Sequence, residues 1–479
     1  MVDENSIMSL TNGFWKMRYT LTKISLMFRY FGTAITITDI LFYCPNLECL
    51  LLDTRDGLGT ILGDIEQLQG TQSSLVELAL DTIYIEPVHL KPLLQLCPYI
   101  RWLQLRCTSP KSLDLVCDHC PNLEVFGFSV PRNLMSDAKE ILNQNYDNKC
   151  PVRPVSGYGQ EIQREGRLRA FYFINQEDVL PGTEFMRILQ KNCKTLEVLY
   201  ADLSAEATQE EEQQPYPRYV VEAKMTGFKM DRLSSLGCWG DAHGVFETLL
   251  FKSVGPTLKH VDVTRPYNIT AIIDALNTLP TLETLKLFDC TVNGVPDDAN
   301  RDSIVQRLVH LFKSYGGASV PKSSTRKLKS LVLENCDFVT DDVLGAIADV
   351  KTIKKLNFHE IGNITSQGFK NFVNKIRIQQ SGHDVNELIL SDIFDVMNDD
   401  MLLDLVDTMS KLETVELEIP EITDDGIKKL VDKAKVLRNL TIYDLERHIS
   451  EETIKNINSN RKRTKLKHVK LIRYRRKDM

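Results

Sequence analysis

The feature that most constrains the fold of this chain is a repeat in the order of its apolar residues. The strings PNLECLLL, SSLVELAL, PTLETLKL and RKLKSLVL share one frame, L-x-x-L-x-L. Sixteen such frames can be placed along the 479 residues, and thirteen of the fifteen steps between them are 23–33 residues long. The other two steps are 45 and 46 residues long. A fixed period of this length is typical of a chain built from stacked supersecondary units.

Each frame begins at an apolar residue, and these residues are Leu21, Leu47, Leu75, Ile100, Leu123, Leu168, Leu196, Met225, Leu258, Leu282, Leu328, Ile353, Val385, Leu412, Leu437 and Leu466. Apolar residues that alternate with period two predict a short strand with one buried face. Most frames are followed by helical spacing, as in 340–348, where Thr340 or Asp341 stands at the expected N-cap. One such unit cannot bury its own apolar face, so neighbours must stack. The sequence therefore predicts an α/β solenoid, a horseshoe with parallel strands on the concave face and helices on the convex face.

The repeat also predicts how the chain is divided. We expect a cap or remnant over 1–20, one array of about sixteen repeats over 21–474, and a basic tail over 475–479. The frame is interrupted by insertions, which lie near 132–166, 205–218 and 292–324. The two long steps are either single repeats with an insertion or pairs with one degenerate member. Because frame residues recur on both sides of each insertion, we expect one cooperative array.

Several short motifs carry a resemblance to a known family. Cys290 and Cys336 each stand eight residues after a frame leucine, VTDDVL and ITDDGI occupy 339–344 and 422–427, and CPNLE occurs twice. These motifs resemble the cysteine-containing leucine-rich repeats of F-box proteins and ribonuclease-inhibitor-like proteins. The resemblance implies a leucine-rich-repeat fold that binds a protein target on its concave face. It further implies a substrate-recognition subunit of an SCF-type ubiquitin ligase, which directs the target to proteasomal degradation.

The N-terminal module of that family is not visible in this chain. F-box proteins grip a Skp-type adaptor through helices that begin with an L-P-x-E-I-like string, and no such string occurs among the roughly twenty residues before Leu21. A Skp-type adaptor is therefore expected as a partner only if the full gene carries an F-box. Two other functions stay open at this point. One is a free-standing repeat adaptor or inhibitor, and the other is a small-ligand sensor or enzyme with an insertion-lined pocket.

The charge and composition argue against several classes of function. The net charge is −7 and the pI is near 5.8, which is unlike a phosphate-tracking protein, so we expect no nucleic-acid partner. No apolar stretch is long enough to span a membrane, and the first residues do not read as a secretory signal. The eleven scattered cysteines are expected to be reduced in the cytoplasm or nucleus. From 455 to 477 there are eleven Lys or Arg and no acid, which predicts a solvated cap or a nuclear-import signal.

No motif for catalysis or for a metal is complete. The cysteines of C-D-H-C at 117–120 suggest a fragment of a zinc site, but the second pair of ligands that such a site needs is missing. Cys120 also shares its repeat position with Cys44, Cys97 and Cys193, which favours a packed thiol. We therefore expect no enzyme activity, no catalytic residues, no metal and no cofactor.

The side chains between the core positions of each strand should point to the concave surface. Tyrosine, tryptophan and arginine dominate binding hot spots, and they recur at these positions. The predicted partner-binding residues are Trp102, Arg106, Tyr172, Tyr200, His260, Asp262 and Lys286. The alternative is that some of them lie under an insertion. The acidic loop over 206–214 is either solvated or a second partner-binding element.

Overall fold

The computed structural model describes most of the chain. The described residues are 4–27, 36–53, 62–64, 73–107, 111–128, 135, 167–174, 183–202, 229–240, 245–266, 268–290, 298–316, 326–378, 384–393, 396–419, 421–444, 449–459 and 466–472. The acidic loop over 206–214, the basic tail over 475–479 and all but one residue of the 132–166 insertion fall outside these ranges.

The described residues form sixteen strands and thirteen helices. The strands are β1 Lys23–Met27, β2 Cys49–Asp53, β3 Glu77–Ile85, β4 Trp102–Cys107, β5 Val125–Phe128, β6 Ala170–Ile174, β7 Val198–Asp202, β8 Ser235–Trp239, β9 His260–Thr264, β10 Thr284–Phe288, β11 Ser330–Glu334, β12 Lys355–His359, β13 Glu387–Ser391, β14 Thr414–Glu418, β15 Asn439–Tyr443 and β16 His468–Ile472. The helices are α1 Glu4–Met17, α2 Ile37–Tyr43, α3 Pro87–Leu96, α4 Lys111–His119, α5 Thr183–Asn192, α6 Val245–Ser253, α7 Ile269–Asn277, α8 Asp298–Gly316, α9 Asp341–Ile347, α10 Ser366–Ile378, α11 Asp399–Thr408, α12 Asp424–Lys433 and α13 Glu451–Ser459.

The chain divides into two compact units. The first consists of Met1–Gly237 with Ser253–Gly255, and the second of Cys238–Lys252 with Pro256–Met479, so the division falls within β8. In the first unit β1 to β7 pair in chain order, all in parallel. In the second unit β9 to β16 do the same. Parallel neighbours need a crossover, and most repeats supply it as a helix.

The frame residues form the core of both units. In β10, Leu285 and Leu287 are fully buried, whereas Thr284, Lys286 and Phe288 keep part of their surface exposed. The buried frame residues of successive strands are in register, as Leu285 is with Leu331. The helices also have buried faces, and helices of successive repeats contact one another. This arrangement is an α/β leucine-rich-repeat array, and it confirms the predicted fold class. We call the strand face that carries the unburied positions the open face.

A polar contact links the helix starts of neighbouring repeats. Asp341, in the first turn of α9, accepts hydrogen bonds from the backbone N–H (2.8 Å) and the hydroxyl (2.7 Å) of Thr365, the residue before α10. The Thr365 hydroxyl oxygen in turn accepts a hydrogen bond from the N–H of Gly368 at 2.9 Å. Asp399, Thr423 and Gly426 repeat the same contacts one helix pair further on. The first aspartate of each of these two helices therefore caps the following repeat as well as beginning its own helix.

The structure corrects one detail of the predicted repeat assignment and decides another that the sequence leaves open. The frame predicted at Met225 is wrong: the strand of this repeat is β8, whose frame begins at Leu233. The two long steps are single repeats, because β5 pairs directly with β6 and β10 pairs directly with β11. In the second case most of the extra length near 292–324 forms the 19-residue helix α8.

The described helices include none that is both long and apolar enough to cross a bilayer.

Candidate functional site: the open face of the strands

The open face of the second unit is a set of rows in register. Each strand contributes three positions, and parallel strands lie about 4.8 Å apart, so side chains at one position form a row across the sheet. The central row runs through Asp262, Lys286, Val332, Asn357, Ile389, Glu416, Thr441 and Lys470. Most open-face side chains of β9 to β15 are at least partly exposed, and Val332 and Ser391 are buried exceptions.

Three of the predicted partner-binding residues meet on this face. His260 and Asp262 lie on β9, and Lys286 lies opposite Asp262 on β10. The Lys286 ammonium is 3.4 Å from Asp262 Oδ2, and His260 Nδ1 is 3.1 Å from the Thr284 hydroxyl oxygen. Burial raises the pKa of Asp262, and Lys286 opposes that shift. The group is therefore a partly desolvated ion pair at the start of the second unit.

A carboxylate-rich edge lies where β11 to β14 end. His359 Nε2 is 2.9 Å from Asp392 Oδ2, and His359 Nδ1 is 3.5 Å from Glu334 Oε1. On the next strand the Ser391 hydroxyl donates to Glu418. No sequence motif marks this group, because its members come from four different repeats and only the strand register brings them together.

A left-handed residue directly follows each of the strands β9 to β13. Arg265, Asp289, Asn335, Glu360 and Asp392 have φ between 48° and 52°. The N–H of each donates to the carbonyl of the last residue of the following strand, as Asn335 does to His359 at 3.0 Å. Asn and Asp are among the residues that adopt this conformation most readily, which accounts for three of the five. Their side chains extend the polar edge beyond the sheet: Asp289, for example, lies 3.0 Å from both Arg265 Nε and Asn335 Nδ2.

The open face of the first unit is different, because much of it is covered. Tyr172 is only 4% exposed and belongs to a buried cluster with Val125, Met135, Ala170 and Val198. Trp102 and Tyr200 pack against this cluster and are partly buried. Arg106 is also partly buried, at the point where the register between β3 and β4 shifts.

The predicted patch of Trp102, Arg106, Tyr172 and Tyr200 is therefore corrected at Tyr172, which offers a partner almost no surface in this structure. The physical reason is Met135, a residue of the 132–166 insertion, which packs on the strand side chains. A second group of open-face residues, Cys49, Leu51 and Ala79, is also buried.

An exposed aromatic group lies at the first helices. Trp15 is 51% exposed, Tyr19 63% and Phe42 58%, and the Arg18 guanidinium lies over the rings of Trp15 and Tyr19 at 4.0 and 4.5 Å. Tyr43 contacts Trp15 edge-on. Nothing in the repeat pattern marks these residues, since they precede or flank the first frames.

Four of the described cysteines of the first unit, Cys44, Cys49, Cys97 and Cys120, are buried thiols. Burial raises the pKa of Cys97 to about 12 and that of Cys117 to about 11, and it raises the pKa of Cys120 as well. A metal would require deprotonated thiolates, which this environment disfavours. Within the described ranges no group of three or more His, Cys, Asp or Glu side chains is placed to hold a metal ion.

No known protein family and no curated protein matches this sequence. Among solved structures the chain is similar to the Rad7 and Elc1 complex in yeast, with 15% identity, a TM-score of 0.46, and coverage of 94% of this chain and 91% of that chain. It is also similar to the leucine-rich-repeat-containing protein LegL7 from Legionella pneumophila, with 13% identity, a TM-score of 0.32, and coverage of 65% and 84%. A third is the TLR13–ssRNA13 complex, with 13% identity, a TM-score of 0.35, and coverage of 89% and 54%.

Proposed function

We propose that this chain is a non-enzymatic protein-binding scaffold whose recognition surface is the open face of β9–β15. The observation that carries this proposal is the unbroken register of that face, which places partly exposed side chains in three long rows. Extended surfaces of this kind are what repeat proteins use to hold partners. A small-molecule substrate would contact only a small part of this open face.

The composition of the face supports a protein partner. Phe288, Ile389 and Tyr443 supply partly exposed apolar surface, and the Asp262–Lys286 pair and the carboxylate-rich edge supply charge around it. Protein interfaces combine apolar anchors with a polar rim in this way. Because the described edge of β11–β14 carries acids and a single histidine, a partner segment with basic side chains fits it best.

Site-specific photo-crosslinking tests the proposal. A photoreactive amino acid is placed at Lys286, Asn357 or Glu416 on the open face, with Lys370, which is exposed on α10, as the matched control. We expect that each of the three open-face positions cross-links to a partner protein and that position 370 does not. The captured protein is then purified, and its Kd for the chain should rise about tenfold or more on Glu418→Lys, which corresponds to about 1.4 kcal/mol. Equal adducts from both faces would contradict the proposal.

We further propose that the partner is a degradation target and that the chain is a substrate receptor of an SCF-type ubiquitin ligase. The support is the resemblance of the C-P-x-L and T-D-D motifs to F-box repeat proteins. Depletion of the chain should lengthen the half-life of the captured partner, measured after translation is blocked. An unchanged half-life would favour a free-standing adaptor or inhibitor.

Adaptor binding is tested separately, in a pull-down with a purified Skp-type adaptor. Because no L-P-x-E-I-like string precedes the first frame, the 479-residue chain is expected not to bind it. Tight binding would point to another surface, and the exposed ring of Trp15 makes Trp15→Ala the first variant to examine, with Val88→Ala as a control at another exposed apolar residue.

A further inference from the structure

The first part of the chain differs from the rest in charge and in exposed apolar surface. Residues 5–38 contain four Lys or Arg and no Asp or Glu, although the whole chain has a net charge of −7. Eight large hydrophobic side chains of the described residues are exposed, and five of them lie in this part, at Trp15, Met17, Tyr19, Met27 and Phe42. Single exposed apolar residues are normal, whereas a group of them marks an interaction site.

Five of the side chains here form one connected surface, which we call the aromatic platform: Trp15, Arg18, Tyr19, Phe42 and Tyr43. Trp15 and Phe42 each contact Tyr43 edge-on, with ring centroids 6.1 and 5.6 Å apart. The turn after α1 is fixed to the first repeat, because Asn46 Nδ2 donates to the carbonyl of Tyr19 at 2.9 Å. Rings from α1, the turn after it and α2 are therefore held together by contacts within the chain.

Arg18 is the charged centre of this platform. Its guanidinium carbon lies 4.0 Å from the centroid of the Trp15 ring and 4.5 Å from that of Tyr19, which are cation–π distances. Arg18 is partly buried, yet it has no hydrogen bond and no ion pair within the part of the chain that the structure describes. A guanidinium presents its N–H donors in a planar fork that matches a carboxylate. The two rings therefore hold a cation whose donors are available to a partner.

Two other partly buried arginines of the same unit each have a carboxylate partner. Arg101 lies 2.8 Å from a carboxylate oxygen of Glu124, and Arg169 lies 2.9 Å from one of Glu197. Ion pairs of this kind offset the cost of removing a charge from water. The missing carboxylate at Arg18 thus indicates the group that a partner would supply. A carboxylate fits better than a phosphate, because one guanidinium faces the partner and a phosphate group carries about two charges.

We propose that the aromatic platform binds an acidic segment of a partner protein, in which one Asp or Glu pairs with Arg18 and neighbouring apolar side chains cover the exposed rings. The surrounding charge is complementary, since Lys16 and Lys23 are exposed and residues 5–38 contain no acid. Trp, Tyr and Arg are also the residue types that dominate binding hot spots. The platform belongs to the first unit, whereas the recognition surface proposed above belongs to the second, so this is an additional site.

Peptide selection tests this proposal. A phage-displayed library of random peptides is selected on the folded 479-residue chain, and peptides that also bind the Arg18→Gln chain are removed. Each retained peptide is labelled, and its Kd is measured by fluorescence anisotropy. The matched controls are Lys91→Gln and Val88→Ala, at an exposed cation and an exposed apolar residue of α3. Circular dichroism and thermal unfolding check that every variant is folded.

The retained peptides should contain Asp or Glu beside apolar residues. Their Kd should rise about tenfold or more with Arg18→Gln or Trp15→Ala and stay within about twofold with the two controls. Arg18→Lys should also weaken binding, because it keeps the charge but not the planar fork. Replacing the acid of the peptide by its amide should match the effect of Arg18→Gln, and the two changes together should cost less than their sum.

The absence of any peptide that depends on Arg18 would overturn the proposal, and so would retained peptides without an acid. Tighter binding of a peptide in which phosphoserine replaces the acid would assign the platform to a phosphate group instead. Trp15-dependent binding to vesicles of phosphatidylcholine and phosphatidylserine would assign it to a membrane, and self-association that Arg18→Gln abolishes would assign it to a second copy of the chain. Each of these three results would also overturn the proposal. None of them affects the crosslinking result on β9–β15.

Discussion

At the scale of single residues, the position within the frame decides whether a side chain contributes to stability. Leu331 and Val415 hold the same frame position in two repeats, and both are fully buried. Leu331→Ala should lower the free energy of unfolding by about 2–5 kcal/mol, because the substitution removes buried methyl groups and leaves a cavity. Val415→Ala should lower it by less, since fewer carbons are lost. Urea titration measures both.

The matched control is Ser330→Ala, at the open-face position next to Leu331. Its effect should stay within about 0.5 kcal/mol, as is usual for surface substitutions. A loss below about 1 kcal/mol for Leu331→Ala would show that the frame has been misassigned.

Glu283 gives the array a contribution to stability that depends on pH. Burial raises its pKa, but the hydrogen bond and charge of Lys329 outweigh this, so that the pKa of Glu283 lies below its ordinary value of 4.5. A depressed carboxylate pKa stabilises the fold above the unfolded value, and the contribution is lost as the pH falls through the folded value. Lys329→Met should therefore flatten the fall in stability below about pH 4.5, measured as unfolding midpoints from pH 6 to pH 3. An unchanged pH profile would contradict this assignment.

At the scale of elements, the contact between helix starts explains why glycine follows T-D-D in ITDDGI. A Cβ atom on Gly426 would overlap the Asp399 carboxylate, which accepts the hydrogen bonds of Thr423. Gly426→Ala should destabilise the protein by about 1–3 kcal/mol through overpacking, although alanine is the better helix former. Thermal or denaturant unfolding measures the loss.

Two comparisons isolate the contact as the cause. Gly345→Ala in α9, where nothing lies within 4 Å of the new Cβ, should raise stability by up to about 1 kcal/mol. The double variant Asp399→Ala with Gly426→Ala should lose less than the sum of the two single variants, because the overlap is then relieved. Simple additivity would mean that the carboxylate does not limit position 426.

At the scale of the whole molecule, the repeat frame predicts one cooperative unfolding transition. Frame residues continue through the boundary of the two compact units, from Leu233 and Leu236 to Leu258. Proteolysis near 209–214 should therefore nick the chain without releasing two separately stable halves. Calorimetry of the intact and the nicked chain measures this, and two independent transitions would contradict it.

The sequence alone determined the positions of fifteen of the sixteen strands, because the L-x-x-L-x-L pattern and its period are local properties. It misplaced β8, since Met225, Phe228 and Met230 imitate the frame, while the true frame ends in Cys238.

Only the tertiary structure decided which side chains meet on the open face. The Asp262–Lys286 pair depends on the register of two strands, and the carboxylate-rich edge on the register of four. The packing of Met135 over Gly127 follows no period, because Met135 lies outside the repeat frame and is buried only by its contacts with side chains of several strands.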